Sequence, residues 1–228
     1  MDVSGFLDGL QAASWYSGQI THREVLAPRA AEYGVLDRPL DQRLQTALQR
    51  SGVHPLYRHQ AEAVNAVREG GHVIVATGAA SGKSLCYTVP ILETALEHPT
   101  SRALYLAPTK ALTQDQLPSI RELSGDRLPV RAEIFDGDTP GHARRGIKDR
   151  AQVVLTNPDM LHLGILPNHK SWGRLFRNLR YVVLDEAHIY RGIFGSHVAN
   201  IMRRLRRLCL QYCSTPPFIL CSATIANS

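Results

Sequence analysis

A single stretch, residues 72–84, restricts the fold of this chain more than any other. It reads His-Val-Ile-Val-Ala-Thr-Gly-Ala-Ala-Ser-Gly-Lys-Ser, an apolar, β-branched run followed by small residues and then Gly-Lys-Ser. That order predicts a buried strand, a tight loop and the first turn of a helix. The N–H groups of such a loop and of the helix N-terminus bind phosphate. The candidate phosphate-binding residues are Thr77, Gly78, Ala79, Ala80, Ser81, Gly82, Lys83 and Ser84.

Two side chains at the end of this loop have specific expected roles. Lys83 supplies a point charge to the outer phosphates, and the Ser84 hydroxyl is a candidate Mg²⁺ ligand. The usual pattern has Gly where this chain has Thr77, and Gly78 comes one residue late. The match is therefore imperfect, and the alternative is a glycine-rich turn that happens to be followed by Lys and Ser.

An acidic pair follows the apolar run of residues 180–184. Such a strand delivers Asp185 to the shell of a Mg²⁺ that Ser84 also holds. Glu186 then faces the outermost phosphate, where it can orient or deprotonate the attacking water. The alternative is a plain acidic turn at the end of a strand.

Four further short apolar runs, residues 102–107, 130–135, 152–156 and 218–221, also end in polar, turn-forming clusters. We therefore predict an α/β fold with a mainly parallel central sheet and helices on both faces, whose functional edge collects the carboxyl ends of the strands. At that edge, Thr109 and Lys110 are candidates to grip phosphates of a nucleic-acid backbone, since such contacts need no base readout. An ordinary strand-to-helix loop is the alternative.

The segment before the phosphate loop predicts a helix from about residue 56 to the glycines at 70 and 71. Gln60 opens it, and its amide matches the donor and acceptor edge of adenine; an exposed helical glutamine is the alternative. Residues 1–50 are the least informative, although Leu40, Leu44 and Leu48 have helical spacing. We treat them as an accessory segment packed on a main domain of residues 51–228.

Composition limits the classes of protein that remain. A length of 228 residues allows one substantial α/β core, and the formal charge of +6 makes a polyanionic partner plausible. The region from 192 to 212 predicts an amphipathic helix whose arginine face is either solvated or in contact with nucleic acid or a partner domain. Four cysteines without a C-x-x-C pair argue against a disulfide framework or a zinc site. With no targeting or membrane-length segment, we expect a reduced, soluble, cytoplasmic protein that does not bind membranes.

Six sequence motifs occur in order along the chain, and together they resemble the first motor domain of a superfamily 2 helicase of the DEAH-box type. They are Gln60, Ala80-Ser81-Gly82-Lys83-Ser84, Pro108-Thr109-Lys110, Thr156-Asn157-Pro158-Asp159, Asp185-Glu186-Ala187-His188 and Ser222-Ala223-Thr224. The resemblance covers roughly residues 51–228 and implies a RecA-like P-loop domain that hydrolyses ATP with Mg²⁺. The sequences around Gln60, Lys83 and Asp185 are also similar to the bacterial mitomycin repair factor helicases and their fungal RecQ-like relatives.

That narrower resemblance implies a DNA substrate, 3′-to-5′ translocation and a role in DNA repair. Carried over to this chain, it implies adenine recognition by Gln60, and catalytic roles for Lys83, Asp185, Glu186 and His188. Ser222 and Thr224, with His188, are expected to couple the nucleotide state to strand binding. The residues expected to face the nucleic-acid backbone are Pro108, Thr109, Lys110, Gly137, Thr139, Thr156 and Asn157.

The resemblance also implies a partner, because such motors bind ATP between two RecA-like domains. The second domain supplies an arginine whose effect on phosphoryl transfer is about 10³–10⁵ in rate. This sequence stops shortly after Thr224, and neither that domain nor the family's C-terminal cysteine cluster is in it. We therefore expect the chain to bind ATP·Mg²⁺ weakly, to hydrolyse it poorly and not to unwind duplex.

Three other interpretations stay open from the sequence. An RNA helicase uses the same backbone contacts, which read neither base nor sugar. An unrelated P-loop enzyme, such as a small-molecule kinase, leaves Gln60 and Ser222-Ala223-Thr224 unexplained. A catalytically silent binding module has no need of Lys83, Asp185 and Glu186.

Overall fold

The computed structural model describes residues 2–25, 30–78, 80–125 and 128–223. The chain divides into two compact units, Met1–Ala31 and Glu32–Ser228. In the first, helix α1 (Val3–Gln11) begins after Asp2, whose carboxylate accepts the Gly5 N–H at 3.0 Å. This arrangement satisfies one of the free N–H groups of the first turn.

The second unit begins earlier than the boundary expected after residue 50. Its helix α2 (Gln42–Arg50) follows the N-cap residue Asp41 and buries Leu44 and Leu48 against Val64 and Val89. Because two leucines one turn apart are buried in that cluster, residues 32–50 belong to the same unit as the sheet.

The second unit alternates strands and helices. Its strands are β1 (Val73–Ala76), β2 (Arg102–Leu106), β3 (Ala132–Ile134), β4 (Val153–Thr156), β5 (Leu179–Leu184) and β6 (Phe218–Ser222). Its helices after α2 are α3 (Arg58–Arg68), α4 (Leu85–Glu97), α5 (Lys110–Ser124), α6 (Gly141–Arg150), α7 (Pro158–Met160), α8 (Gly173–Arg177) and α9 (Gly192–Gln211). Single turns of other helix types occur at Leu161–Ile165 (π) and at His169–Trp172 and Ala187–Ile189 (3₁₀).

All six strands belong to one sheet with the order β1-β6-β5-β2-β4-β3, and every neighbouring pair is parallel. Parallel neighbours need a crossover, which the helices supply. Since all strands point the same way, all their carboxyl ends lie at one edge of the sheet. That edge is where an open α/β sheet binds ligands.

The core lies on both faces of the sheet because successive side chains of a strand point to opposite faces. Leu104 and Leu106 of β2 join a cluster with residues of α6, α8 and α9. Ala103 and Tyr105, which alternate with them, join a second cluster with residues of α3, α4 and α5. Burial on both faces explains why the strands read as continuous apolar runs rather than alternating ones.

The structure confirms the expected α/β fold with helices on both faces. Each predicted strand is present, with ends that differ by at most about two residues, the usual uncertainty of such boundaries. The helix after the phosphate loop begins at Leu85 rather than at Lys83, because residues 82–86 first form tighter turns in which Leu85 and Cys86 donate to the carbonyls of Gly82 and Lys83. Among the described residues we find no helix with the length and apolar content that crossing a bilayer requires.

Candidate functional site

The strand order divides the carboxyl edge of the sheet into two halves. The phosphate loop follows β1, Ser222 ends β6, and Asp185 and Glu186 follow β5, so these groups share one half. The other half, formed by β2, β4 and β3, carries residues 108–110, Asn157, and Gly137 with Thr139. The structure therefore separates the expected nucleotide residues from the expected nucleic-acid residues along one edge.

Helix α3 fixes the orientation of the phosphate loop. His59 Nε2 lies 3.1 Å from the Ser81 carbonyl oxygen, and Gln60 Nε2 donates to the Gly82 carbonyl at 3.0 Å. Because a trans peptide is planar, the N–H after each carbonyl points the opposite way, away from α3. The N–H groups of Gly82 and Lys83 have no acceptor among the described residues. They are therefore available to an anion.

Gly82 is required by both its conformation and its surroundings. Its φ is +73°, in the left-handed region, and a Cβ there would lie 2.5 Å from Gln60 Nε2. A side chain at this position would displace the amide that holds the loop. Ala80 also has a positive φ, +57°, so the loop contains a second strained residue.

Lys83 folds back over its own loop. Its ammonium donates to the carbonyl oxygens of Thr77 at 2.9 Å and Gly78 at 2.6 Å, while the hydroxyls of Thr77 and Ser81 lie 2.6 Å apart. Ser84 is the N-cap residue of α4, and its hydroxyl makes no capping bond. The charge of Lys83 is thus held at the loop, and the Ser84 hydroxyl stays available.

Gln60 is 1% exposed, and its amide already has protein partners. Its oxygen accepts the Tyr57 N–H at 2.9 Å, and its nitrogen holds Gly82 as described. A contact with adenine would have to replace or share these bonds. Adenine recognition by Gln60 therefore stays a prediction, and the structure gives this residue a second role in shaping the loop.

Asp185 is held by two tyrosine hydroxyls that sequence reasoning missed. Tyr105 of β2 and Tyr87 of α4 donate to Oδ2 at 2.8 and 3.1 Å, and the Glu186 N–H donates to Oδ1 at 2.9 Å. Burial, followed by neighbouring charges that include Asp185, raises the pKa of both tyrosines well above its usual range, so both remain donors. Tyr87 lies one turn beyond Ser84, so its bond joins the phosphate-loop helix to the acidic pair.

A signal for these tyrosines was present in the sequence. Tyr105 lies between apolar residues in strand β2, where a buried hydroxyl needs a polar partner. His59 carried no comparable signal, because its partner is a backbone carbonyl.

Glu186 and His188 form a second contact group at the end of β5. Glu186 has a left-handed backbone with φ +49°, and its Oε2 is buried without a hydrogen-bond partner among the described residues. His188 Nδ1 lies 3.1 Å from that oxygen, close enough for an ion pair when the imidazole is protonated but outside hydrogen-bond geometry. The same nitrogen lies 3.3 Å from Ser222 Oγ. Ala79 and Thr224 lie outside the described residues.

The other half of the edge presents Pro108, Thr109, Lys110, Gly137 and Asn157 at least partly to solvent. Lys110 Nζ contacts Asp138 Oδ2 at 2.6 Å, which raises the lysine pKa. Thr109 and Asn157 cap α5 and α7 with their side-chain oxygens. Both helices begin shortly after the ends of β2 and β4, so their N-termini lie at this edge.

Two expected nucleic-acid residues have other contacts. Thr156 is 0% exposed, and its hydroxyl donates to the Phe135 carbonyl at 2.6 Å, so the expected backbone contact is corrected to a link between strands. Thr139 is partly exposed, but its hydroxyl bonds the Asp136 N–H and carboxylate at 2.9 and 3.1 Å. Its role is to shape the turn that exposes Gly137.

The sequence pattern of the DEAD/DEAH box helicase family matches residues 57–228, which is most of the chain. The chain belongs to this family. This helicase domain is 46% identical over 203 residues to the uncharacterized ATP-dependent helicase YprA of Bacillus subtilis, covering 89% of this chain and 27% of that protein. It is 44% identical over 233 residues to the ATP-dependent helicase hrq1 of Schizosaccharomyces pombe, covering 99% of this chain and 22% of that protein.

A solved structure agrees with the sequence relatives. The crystal structure of the DUF1998 helicase MrfA bound to DNA and AMPPNP superposes on this helicase domain with a TM-score of 0.83 and 46% identity. The match covers 89% of this chain and 29% of that one. The domain thus spans roughly a quarter of the length of these relatives, and the resemblance to superfamily 2 helicases is confirmed.

Proposed function

We propose that this domain is the ATP-binding motor domain of an ATP-dependent 3′-to-5′ DNA helicase that acts in DNA repair. The observation that carries the proposal is the bond from Tyr87 to Asp185, which joins the phosphate-loop helix to the acidic pair. Consecutive free N–H groups, a lysine and two carboxylates at one edge form a site for a triphosphate. The bound AMPPNP in MrfA supports the nucleotide class.

The residues present fit a nucleotide with Mg²⁺. The N–H groups of Gly82 and Lys83 would bind the phosphates, and Lys83 would exchange its two loop carbonyls for phosphate oxygens. Ser84 and Asp185 would hold Mg²⁺, which needs only one or two protein ligands when phosphates and water supply the rest. The bound cation would neutralise charge that develops on the phosphates. A Mg²⁺ site with one or two protein ligands does not need a cluster of three or more His, Cys, Asp or Glu side chains, and the described residues contain no such cluster.

Glu186 is the group that handles the attacking water in this proposal. Its Oε2 is buried and has no hydrogen-bond partner among the described residues, so it can accept a proton or a hydrogen bond from water. His188 Nδ1 and Ser222 Oγ lie 3.3 Å apart. Through this contact, a structural change at the nucleotide site would be transmitted to β6. Thr224 completes the coupling group of the proposal.

Nucleic acid would lie along the other half of the edge. The side chains of Thr109 and Lys110, and the helix N-termini capped by Thr109 and Asn157, are suited to phosphates. Pro108, Gly137 and Thr139 would shape that surface. DNA is preferred over RNA because MrfA was solved with DNA.

A second RecA-like domain is the remaining partner that we propose. The relatives are roughly four times longer than this domain, which leaves room for it. It would close over the nucleotide and supply the arginine that speeds phosphoryl transfer.

Nucleotide binding by this domain gives the first test. We expect Lys83→Ala to weaken the binding of a fluorescent ATP analogue about tenfold or more, since a charged hydrogen bond is worth about 1.5–3 kcal/mol. Lys170→Ala removes the same charge from an exposed helical turn and should change nothing. Equal affinity in the unchanged protein and Lys83→Ala would refute the phosphate role.

Hydrolysis gives the second test, in a protein extended to the length of its relatives. Single-stranded DNA should stimulate ATP turnover more than RNA of the same sequence. Glu186→Gln should keep nucleotide binding and suppress turnover, while stimulation by RNA alone would replace DNA as the substrate class.

A further inference from the structure

A concave surface along α9 lies outside the site described above. The cavity has a volume of about 710 Å³, and four arginines and two histidines account for most of the side chains that line it. We call it the α9 groove; its charged or titratable residues are His162, His197, Arg203, Arg204, Arg206 and Arg207. None of the described residues that line it is acidic.

The four arginines have no ion-pair partners among the described residues. Some arginines of other helices do form ion pairs, as Arg58 does with Glu62 and Arg145 with Asp149. Helix α9 contains no Asp or Glu, and its arginines repeat at spacings of three and four residues. Like charges at those spacings destabilise a helix. A bound polyanion would therefore reduce the repulsion between these arginines.

The packing of α9 holds this charge in place. Val198, Ile201, Leu205 and Cys209 are buried against the sheet, so the helix cannot rotate its basic side away from solvent. The groove runs from His197 to Leu210, about 20 Å of helix at 1.5 Å per residue. Duplex DNA presents about a dozen phosphates over that distance, at one charge per ~1.7 Å.

The position of the groove links it to the carboxyl edge. His162 lies in the π-helical turn Leu161–Ile165, which follows directly on the helix capped by Asn157. Its ring packs edge-on against His197, with centroids 5.3 Å apart. Because α9 runs between two parallel strands, it leads from this edge towards the opposite one. The groove therefore starts next to the residues expected to hold nucleic acid.

We propose that the α9 groove binds the phosphate backbone of duplex nucleic acid, as a contact separate from the nucleotide-dependent edge. Backbone contact is favoured because the described residues that line the groove include no Phe, Tyr or Trp, the side chains on which single strands stack. The choice of nucleic acid over another polyanion rests on the proposed function. Through this groove, the motor domain binds duplex nucleic acid independently of ATP.

The test compares two double variants of equal charge in a 20-bp duplex binding assay by fluorescence polarisation. We expect Arg203→Ala with Arg207→Ala to lower affinity about tenfold at low salt and to reduce the slope of log affinity against log salt by about 1.8, near 0.9 per lost phosphate contact. The control, Arg50→Ala with Arg145→Ala, removes two exposed arginines from other helices and should change neither value.

Three outcomes would overturn the proposal. They are equal losses in the two double variants, no loss in either, and displacement of the duplex by a polyglutamate peptide at lower charge concentration than by unlabelled duplex. The last result would assign the groove to an acidic protein segment. ATP-analogue binding should be the same in both variants as in the unchanged protein, so a failure of the Lys83 experiment is distinguishable from a failure here.

Discussion

At the scale of single residues, the hydrogen bonds of Asp185 decide how a cation can approach it. A carboxylate offers about four acceptor positions. Two are used by the hydroxyls of Tyr87 and Tyr105 on Oδ2, and one by the Glu186 N–H on Oδ1. One position, on Oδ1, is left for the cation. The tyrosines therefore act as positioning residues for the proposed Mg²⁺ ligand.

Tyr105→Phe tests this positioning role. Loss of the 2.8 Å bond should weaken nucleotide binding several-fold in the presence of Mg²⁺ and leave binding in EDTA unchanged, because only the cation's ligand has lost its orientation. The stability cost should be about 1.5–3 kcal/mol, typical of a hydrogen bond to a charged group. The measurement is a titration with the fluorescent analogue in both conditions.

Tyr181→Phe is the matched control for Tyr105→Phe. Tyr181 also lies on a central strand, four residues before Asp185, but its hydroxyl contacts Thr94 at 2.6 Å and not the acidic pair. A similar loss of Mg²⁺-dependent binding in both variants would contradict the positioning role.

Residue types could be predicted more securely than residue contacts. The sequence predicts Lys83, Asp185 and Glu186 as site residues because their motifs fix both type and spacing, and their roles stay predictions. Thr156 was misplaced because a hydroxyl at the end of a strand can face solvent or bond the neighbouring strand, and its own sequence context does not distinguish the two.

At the scale of helices and strands, α3 and α4 hold the phosphate loop between them. Arg68 of α3 donates to both carboxylate oxygens of Glu93 on α4, at 2.9 and 2.5 Å. The side chains are only 6% and 2% exposed. A bidentate pair buried to this degree fixes one helix against the other. The positions of Ser81 and Gly82, which α3 orients, are thus fixed relative to the start of α4.

Glu93→Ala should therefore destabilise the domain by about 3–5 kcal/mol, because it leaves a buried arginine without its counter-charge. Replacing both partners, with Arg68→Met and Glu93→Leu, should recover most of that loss, since no charge then remains buried. Urea unfolding measures both values. A loss below about 1 kcal/mol in Glu93→Ala would show that the pair is solvated in solution.

The existence of each strand could be predicted, but the order of the strands could not. Apolar runs of four to six residues identify the strands by composition. Their order, with β6 inserted between β1 and β5, depends on packing between distant segments. The π-helical turn Leu161–Ile165 and helix α1 also lacked a local sequence signal that we recognised.

At the scale of the whole molecule, burial divides the four cysteines into two classes. Cys86, Cys209 and Cys221 are buried, whereas Cys213 is exposed and all four are free. Burial raises the pKa of the Cys86 thiol to about 12 and that of Cys221 well above its usual range. Only a thiolate reacts rapidly with disulfide reagents.

We therefore expect one fast-reacting thiol per molecule at pH 8 with an aromatic disulfide reagent, and four after unfolding in urea. Cys213→Ser should remove the fast phase and leave the slow one. Two or more fast thiols in the folded protein would contradict the described packing of both faces of the sheet.

The pairing of β1 with β6 has a consequence for how the protein is made. Val73 pairs with Ile219, and among the described strands β1 has no other neighbour. A ribosome that adds about 5–20 residues per second needs roughly 7–30 s to translate the chain from Val73 to Ile219. During that interval the emerging strand that leads into Lys83 has nothing to pair with. The proposed nucleotide site is therefore completed late in synthesis, after the rest of the sheet has been translated.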